Sequence, residues 1–199
     1  MGEWKEYNLG EIVEFKTGKL NSNAAVVNGK YPFFTCSPQT LAIDDYAFDC
    51  EALLLAGNNA EGVFSLKYYK GNFNAYQRTY VITIPKNKNA DYKFLFYNLR
   101  TQLKELQNIS FGSATKFLTL TILDEIKILL PDLPEQKSIA SILSSLDDKI
   151  DLLHRQNKTL EALAETLFRQ WFVEEAEEGW EIGKLGDYVQ FVKGKKPKE

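Results

Sequence analysis

Polar side chains suited to contact with nucleic acid are grouped in four loops of the first 116 residues. Asparagine, glutamine and arginine can read base edges through paired hydrogen bonds, and lysine, serine, threonine and tyrosine commonly contact phosphates. The candidates are Lys16, Thr17, Lys19, Asn21, Ser22, Asn58, Asn59, Lys67, Tyr68, Tyr69, Lys70, Asn74, Gln77, Arg78, Ser113, Thr115 and Lys116. Each alone is compatible with a solvated loop residue. Their grouping predicts a surface that binds DNA.

Sequence patterns for catalysis and for metal binding are weak. Asp132, Glu135 and Lys137 are residue types found in metal-dependent nucleases, but they straddle a predicted helix start instead of converging from neighbouring strands. An acidic first helical turn is the better interpretation. No glycine-rich loop precedes a Lys-Ser or Lys-Thr pair, so an NTPase is not expected. His154 falls on the charged flank of a predicted helix, and we expect neither a metal site nor a cofactor.

A long helix is predicted to begin at Pro134, because nothing in residues 135–172 breaks helical periodicity. Its apolar positions alternate in spacings of four and three over five heptads, which is typical of a helix that packs lengthwise on another helix. This seam consists of Ile139, Leu143, Leu146, Ile150, Leu153, Asn157, Leu160, Ala164, Leu167 and Trp171. A single long helix folded back on its own domain is the alternative.

The region before this helix is a mixture of short apolar runs and turn residues. Strands are predicted at residues 11–15, 31–35, 52–56, 62–67, 79–84 and 126–130, with turns at Asn28-Gly29, at residues 57–59 and at Gly71-Asn72. One helix is predicted after Asp91, ending near Gln107. The predicted class is therefore α+β, a mixed domain of short strands with one or more helices, followed by a long coiled-coil helix. The predicted parts are residues 1–131, 132–178 and 179–199.

The two ends of the chain carry an internal repeat. Residues 4–19, WKEYNLGEIVEFKTGK, align without a gap on residues 180–195, WEIGKLGDYVQFVKGK. The matches include two tryptophans and several glycines in register, which strand periodicity alone does not require. Residues 179–199 therefore look like the start of a second copy of the N-terminal unit.

Charge and composition limit the possible partners. The net charge is −3, but residues 1–131 are close to neutral while residues 134–178 carry most of the acidic excess. The first part can therefore bind DNA through a local patch, whereas the acidic helix is better suited to protein contacts. No apolar run approaches 18 residues, and the N-terminus lacks targeting features, so a cytoplasmic protein is expected. Cys36 and Cys50 are expected to be reduced, buried thiols.

Three parts of the sequence resemble the specificity subunits of type I restriction-modification systems. The end of a target-recognition domain running into the spacer helix is similar to residues 111–153, in which GSATKFL and LPEQ are the most specific pieces. The opening of the same unit is similar to residues 4–19, and the opening of a second unit is similar to residues 180–195. The resemblance covers essentially the whole chain.

The resemblance implies a DNA sequence-recognition subunit without catalysis of its own. In this family, two target-recognition domains each read one half of a bipartite site, and two antiparallel helices separate the domains and dock methyltransferase (M) subunits. The restriction (R) subunits, which carry the nuclease, join through them. By that resemblance, residues 1–131 bind double-stranded DNA, residues 132–178 form the spacer helix, and the chain corresponds to half of a specificity subunit.

An apolar seam without a partner helix predicts a homodimer, because it would otherwise expose a continuous hydrophobic stripe. Two-fold symmetry would then place two domains on half-sites about one helical turn, roughly 34 Å, apart. Asn157 in the seam favours parallel pairing, whereas the resemblance favours antiparallel pairing. Two other functions stay open at this point, an enzyme with an unrecognised site and a coiled-coil interaction protein that does not bind specific DNA.

Overall fold

The computed structural model describes residues 3–59, 64–109, 116–175, 183–190 and 192–194. The strands are β1 (Lys5–Asn8), β2 (Glu14–Thr17), β3 (Tyr31–Phe34), β4 (Leu41–Ile43), β5 (Phe48–Ala56), β6 (Asn58–Asn59), β7 (Leu66–Ala75), β8 (Thr79–Thr83), β9 (Lys116–Phe117) and β10 (Lys127–Leu130). The helices are α1 (Leu9–Ile12), α2 (Tyr92–Ile109), α3 (Leu120–Asp124), α4 (Leu133–Arg169) and α5 (Leu185–Tyr188). The predicted α+β class with a long helix is confirmed.

A six-stranded sheet in the order β2-β8-β5-β7-β3-β4 forms the centre of the N-terminal unit. All neighbours in this sheet are antiparallel except β3 and β7, which are parallel. Two small pairs, β1 with β10 and β6 with β9, complete the strand pairing of the described residues. Strand β5 lies in the middle and is buried on both faces, which explains its uninterrupted apolar run.

Hydrophobic side chains pack on both faces of this sheet. On one face, Leu53 and Leu55 of β5 join a large cluster with residues of α1, α2, α3 and β10, such as Leu99. On the other face, Leu54 packs in a smaller aromatic cluster that includes Phe73. The alternation along β5 therefore supplies both cores, as the period of two in a strand requires.

Three sequence-based assignments were wrong in this region. The predicted turn at Gly71-Asn72 lies inside the ten-residue strand β7, where Gly71 has a φ of 135° that favours glycine. The predicted strand at residues 11–15 is divided between α1 and β2. In addition, residues 58–59, predicted as a turn, form the short strand β6. The strands predicted at residues 31–35, 52–56, 79–84 and 126–130 are confirmed.

The two copies of the repeat form the same local turn. In the first copy, the Asn8 backbone N–H donates to Glu11 Oε2 at 2.8 Å, and in the second the Lys184 N–H donates to Asp187 Oδ2 at 3.3 Å. Their surroundings differ, because Leu9 is 0% exposed while its counterpart Leu185 is 66% exposed. The turn is therefore encoded locally, and its burial is supplied by the rest of the first unit.

The start of α4 is anchored to the N-terminal unit by one buried side chain. Asp132 caps the helix by accepting a hydrogen bond from the Glu135 N–H at 2.9 Å. Gln136, which is 1% exposed, accepts from the Asp91 N–H at 2.9 Å through Oε1. Its Nε2 donates to the carbonyls of Asn89 at 3.1 Å and Pro131 at 2.9 Å. The amide therefore joins the start of α4 to the loop before α2.

The chain divides into two compact units, Met1–Asp147 and Asp148–Glu199. Within the first unit, Ala140 and Ile139 of α4 pack on the core, and the Tyr97 hydroxyl donates to Asp147 Oδ2 at 2.9 Å. In the second unit, the helix continues to Arg169 and ends in a π-helical turn over Gln170–Glu174. None of the helices within the described ranges is long and apolar enough to cross a membrane.

Replacing Gln136 by alanine should lower the free energy of unfolding by about 2 to 4 kcal/mol, because three backbone groups lose a partner in a mostly buried place. Urea unfolding followed by tryptophan fluorescence at one fixed protein concentration measures this change. Lys137→Ala, at the next, exposed position, is the matched control and should stay within about 0.5 kcal/mol of the parent chain. Equal effects of the two substitutions would contradict the anchoring role of Gln136.

Gly18 allows two backbone segments to touch. A Cβ at this position would collide with the carbonyl oxygen of Ala75 and would lie 2.7 Å from the carbonyl oxygen of Tyr76. Beside this contact, the Gln77 N–H donates to the carbonyl of Leu20 at 2.9 Å. The loop after β2 therefore lies against the turn between β7 and β8 only because residue 18 has no side chain.

Gly18→Ala should destabilise the chain by about 1 to 3 kcal/mol, since both obstructing atoms belong to the backbone and cannot rotate away. The repeat offers an internal control at the equivalent position, Gly194, where a Cβ would meet no atom of the described residues within 4 Å. Gly194→Ala should leave the unfolding midpoint in urea unchanged. A Gly18→Ala chain as stable as the Gly194→Ala chain would refute the close approach.

Candidate nucleic-acid interface

Four segments that are distant in sequence meet around a cleft of about 500 Å³. They are the end of β2 at Thr17, the short strand β6, the turn at residues 77–78, and the segment that begins at Phe117. Backbone hydrogen bonds hold them together, since the Gly57 N–H donates to the Arg78 carbonyl at 2.8 Å and the Leu118 N–H donates to the Gly57 carbonyl at 2.9 Å. The cleft is therefore built on paired backbone.

Three of the predicted base-reading side chains lie at this cleft. Asn58, Gln77 and Arg78 line it. The Gln77 Nε2 donates to the Oδ1 of Asn21, a fourth predicted residue, at 2.9 Å, and both side chains are exposed. This contact leaves the Gln77 carbonyl oxygen and the Asn21 amide N–H groups for a ligand. The structure thus brings residues from three of the four predicted loops to one place.

Cys36 contacts two of these cleft residues, Asn58 and Arg78, and the sequence did not indicate this role. Its thiol donates to Asn58 Oδ1 at 3.0 Å and also lies 3.5 Å from the Arg78 carbonyl oxygen. Because a thiol has one proton, it serves these acceptors alternately. The shorter contact orients the Asn58 amide with its oxygen toward Cys36. Cys36 and Cys50 are both free, as predicted, but they are half-buried and not fully enclosed.

Arg78 stacks on an exposed aromatic ring at the mouth of the cleft. Its Cζ lies 5.9 Å from the ring centroid of Phe117, which is 55% exposed. Within the described ranges, no carboxylate forms an ion pair with Arg78. The guanidinium is therefore held in place by the ring while its charge and its donors face solvent. Phe117 had no sequence signal for a functional role.

A second cleft, of about 560 Å³, adjoins the first and contains the nearby basic residues. Lys16, Thr17 and Lys19 line it, and it shares Thr17, Tyr80 and Leu120 with the first cleft. Ser22, also exposed, begins the 3₁₀ turn Ser22–Ala24 that follows Asn21. Positive charge thus lies beside the first cleft, as a phosphate-binding rim requires.

The predicted residues of β7 have partners inside the domain instead. Glu51 accepts from the Tyr68 hydroxyl at 2.9 Å and forms an ion pair with Lys70 at 3.0 Å. Burial, followed by the hydrogen bond to Glu51, raises the pKa of Tyr68 to about 12. Asn74 is 5% exposed, and its Oδ1 accepts from the Ala75 N–H at 2.9 Å. These three side chains stabilise the sheet.

Tyr69 and Lys67 are also engaged on β7. The ring of Tyr69 packs against Phe34 and Phe73 with centroid distances of 5.3 and 5.8 Å. Lys67 donates to the Ser37 carbonyl at 3.0 Å, and burial lowers the pKa of its amine. Lys67 is thus bonded to the residue that follows Cys36, whose thiol contacts Asn58 of the first cleft.

The fourth predicted loop is described only in part. Ser113 and Thr115 lie outside the described residues. The backbone of Lys116 pairs with that of Asn59 in the two-stranded ladder of β6 and β9. The ladder brings the end of this loop to the cleft that contains Asn58.

Within the described ranges, no group of three His, Cys, Asp or Glu side chains could hold a metal ion.

The seam on α4 has two parts. Ile139 and Leu143 are half-buried near the start of the helix, and Ile139 packs on the core of its own unit. From residue 146 to residue 171 the seam positions are exposed, apart from the half-buried Leu167. This exposed stretch, termed the helix stripe, is about 38 Å long at 1.5 Å per residue.

The comparisons with known proteins agree with this architecture. A family model described as the type I restriction modification DNA specificity domain matches residues 1–162. The specificity subunit of the Escherichia coli type I restriction enzyme EcoDI is 43% identical over 144 residues, covering 72% of this chain and 31% of that protein. The MjaVIII specificity subunit of Methanocaldococcus jannaschii is 34% identical over 222 residues, covering 97% of this chain and 51% of that protein.

A solved structure shares the fold. The S subunit of the type I restriction-modification system from M. genitalium superposes with a TM-score of 0.67 at 20% sequence identity, covering 89% of this chain and 50% of that one. The chain thus spans from about a third to about half of the length of these relatives. Because the family model covers most of the sequence, the chain belongs to the type I restriction modification DNA specificity family.

Proposed function

We propose that the chain is the DNA sequence-recognition subunit of a type I restriction-modification system and that its N-terminal unit reads one half of a bipartite target. The observation that carries this proposal is the convergence of Asn58, Gln77 and Arg78 on one cleft, in a chain of the specificity family. These side chains can pair with base edges in the major groove.

The two clefts have different roles in this proposal. Asn21, Asn58, Gln77 and Arg78 are the base readers, because Asn58, Gln77 and Arg78 line the first cleft and Asn21 is hydrogen-bonded to Gln77. Lys16, Thr17, Lys19 and Ser22 contact phosphates, since they are exposed beside it. Tyr68, Lys70 and Asn74 support the sheet and have no direct role. Such a division suits a chain of net charge −3, whose attraction to DNA must be local.

The subunit is non-catalytic in this proposal and recruits methyltransferase subunits, and through them the nuclease subunits. The acidic character of residues 134–178 supports protein partners for the helix, because such a surface repels phosphate. Recognition and recruitment would then use separate parts of the chain.

The occupant of the helix stripe is a second copy of the chain, packed antiparallel. One register pairs every member of the stripe: Leu146 with Trp171, Ile150 with Leu167, Leu153 with Ala164, and Asn157 with Leu160 of the second copy. The two-fold axis passes between residues 158 and 159. In an antiparallel coiled coil, the two seam positions of the heptad pair with each other in this manner. Because of the two-fold axis, each of these pairs occurs twice.

Other registers satisfy the stripe less well. Sliding the helices by one heptad in one direction leaves Leu146 and Ile150 without partners. Sliding them in the other direction sets Trp171 against Ile139, which already packs on the core of its own unit. Parallel pairing would set Trp171 against Trp171 and Ala164 against Ala164, which combines crowding with a void. The antiparallel register instead sets large side chains against smaller ones.

The polar seam residue fits the antiparallel register as well. Asn157 lies next to the two-fold axis, so the two Asn157 side chains occupy adjacent layers and can reach one another. The preference for parallel pairing that a seam asparagine usually indicates therefore weakens at this position.

At the flanks of the seam, His154 falls beside Glu161 of the second copy, and an imidazole N–H can donate to that carboxylate. Two domains at opposite ends of the pair would read a palindromic bipartite site.

Selection from a library of random duplexes should enrich one sequence motif, and Arg78→Ala should weaken binding to that motif about 10-fold or more while changing binding to random DNA less than 3-fold. Replacement of a base-reading arginine removes its paired hydrogen bonds to one particular base. Random DNA does not offer that base at the required position, so its binding changes less. Fluorescence anisotropy with both duplexes measures the two constants. Lys16→Ala is the control and should weaken both by a similar factor.

If no motif is enriched and the chain forms a stable dimer, the coiled-coil interaction protein becomes the better function. If the purified chain alone cleaves or methylates DNA, it is an enzyme. Equal losses of binding to the motif and to random DNA in Arg78→Ala would remove Arg78 from the base readers. Each of these outcomes contradicts a separate part of the proposal.

Leu160→Glu should convert a dimer into a monomer, because it places a charge in the layer beside the two-fold axis. Light scattering across a concentration series measures the mass, which should be twice 22.8 kDa for the parent chain. Thr159→Glu adds the same charge at an outward position and should leave the dimer intact. A monomeric parent chain would contradict the homodimer.

The register can be tested with a short bismaleimide crosslinker in a chain whose native cysteines are changed to serine. Leu153→Cys together with Ala164→Cys should give crosslinked dimers, because the two positions face each other across the pair. Each single variant should stay uncrosslinked, since identical positions are about 16 Å apart along the axis. Crosslinking of the single Leu153→Cys variant would indicate parallel helices.

A further inference from the structure

The ring of Phe117 is an exposed apolar group at the cleft that Asn58, Gln77 and Arg78 line. Its backbone is fixed on both sides, because it pairs with Asn58 in the β6–β9 ladder and the next residue is held by Tyr80, whose hydroxyl donates to the Leu118 carbonyl at 2.8 Å. A ring that is 55% exposed on so constrained a backbone contributes little to the core. More than half of its surface is therefore open to contact with a ligand.

Arg78 limits the kind of contact that this ring can make. The guanidinium Cζ lies 5.9 Å from the ring centroid and covers one face. Insertion between stacked bases needs both faces of a wedge, so intercalation is disfavoured here. The open face and the edge of the ring can still lie against an apolar group of the DNA. In the major groove that group is the C5 methyl of thymine.

We propose that Phe117 is a specificity-determining residue that contacts the C5 methyl of a thymine next to the base pair read by Arg78. This inference rests on the proposed DNA-reading function of the cleft. Arginine pairs with guanine O6 and N7 through two hydrogen bonds. The stack keeps the two side chains adjacent, so together they would read two neighbouring base pairs, one by hydrogen bonds and one by its methyl group.

Deoxyuridine substitution tests this contact, because it removes the methyl group and leaves the base pairing unchanged. In the motif selected by the full chain, each thymine is replaced in turn. The Arg78→Ala chain should no longer discriminate the base at one position of the motif. At one thymine within one base pair of that position, replacement by deoxyuridine should lower the affinity of the parent chain by about 3- to 10-fold. Phe117→Ala should bind the thymine and deoxyuridine duplexes equally.

Ile122→Ala is the matched control, because Ile122 is another exposed apolar residue that follows Phe117 closely in the chain and lines neither cleft. It should keep the full preference for thymine. Unchanged affinity of Phe117→Ala for random DNA, together with an unchanged circular dichroism spectrum, shows that the variant is folded.

Two results would overturn the inference while leaving the proposed function intact. One is a selected motif in which no thymine near the Arg78 position is sensitive to deoxyuridine. The other is a Phe117→Ala chain that keeps the parent's preference for thymine. If no motif is enriched at all, the proposed function itself fails, and the inference fails with it. The selection step therefore separates the two kinds of failure.

Discussion

The buried amide of Gln136 is the contact that fixes where the sheet domain ends and the long helix begins. It forms three hydrogen bonds with backbone groups of the loop before α2 and of the residue after β10. These bonds lie where the sheet domain passes into the long helix. A fully bonded buried amide is costly to disturb, because each partner that loses it stays desolvated. The helix therefore begins at a defined place and with a defined first turn, capped by Asp132.

A second constraint shapes the cleft. The side chains that we propose as base readers are held in position by backbone contacts. The ladder of β6 and β9, the approach at Gly18 and the hydrogen bond from the Gly57 N–H to the Arg78 carbonyl involve backbone groups and none of these side chains. Asn58, Gln77 and Arg78 are thus presented by a scaffold that would accept other side chains at the same places.

Features encoded over short stretches could be predicted from the sequence. The capped start of α2 at Asp91 and the long helix depend on local hydrogen bonds and on periodicity. The repeat itself was visible in the sequence, but the helical turn at Leu9 and Leu185 was not predicted. The polar residues of β7 could not be assigned, because the pattern of Lys67 to Asn74 resembles a loop until Glu51 and the neighbouring strands supply its partners. Phe117 and Cys36 were missed for a related reason, since their roles arise from contacts with Arg78 and Asn58 that only the tertiary fold creates.

In our proposal, two copies of this chain, joined by antiparallel helices, read one bipartite site. The most direct test is the mass of the complex between the chain and its selected duplex, measured by light scattering coupled to size exclusion. We expect two 22.8 kDa chains on each duplex that carries both half-sites. We also expect a large loss of affinity when one half-site is scrambled. A single chain bound per duplex, with affinity indifferent to the second half-site, would contradict the claim.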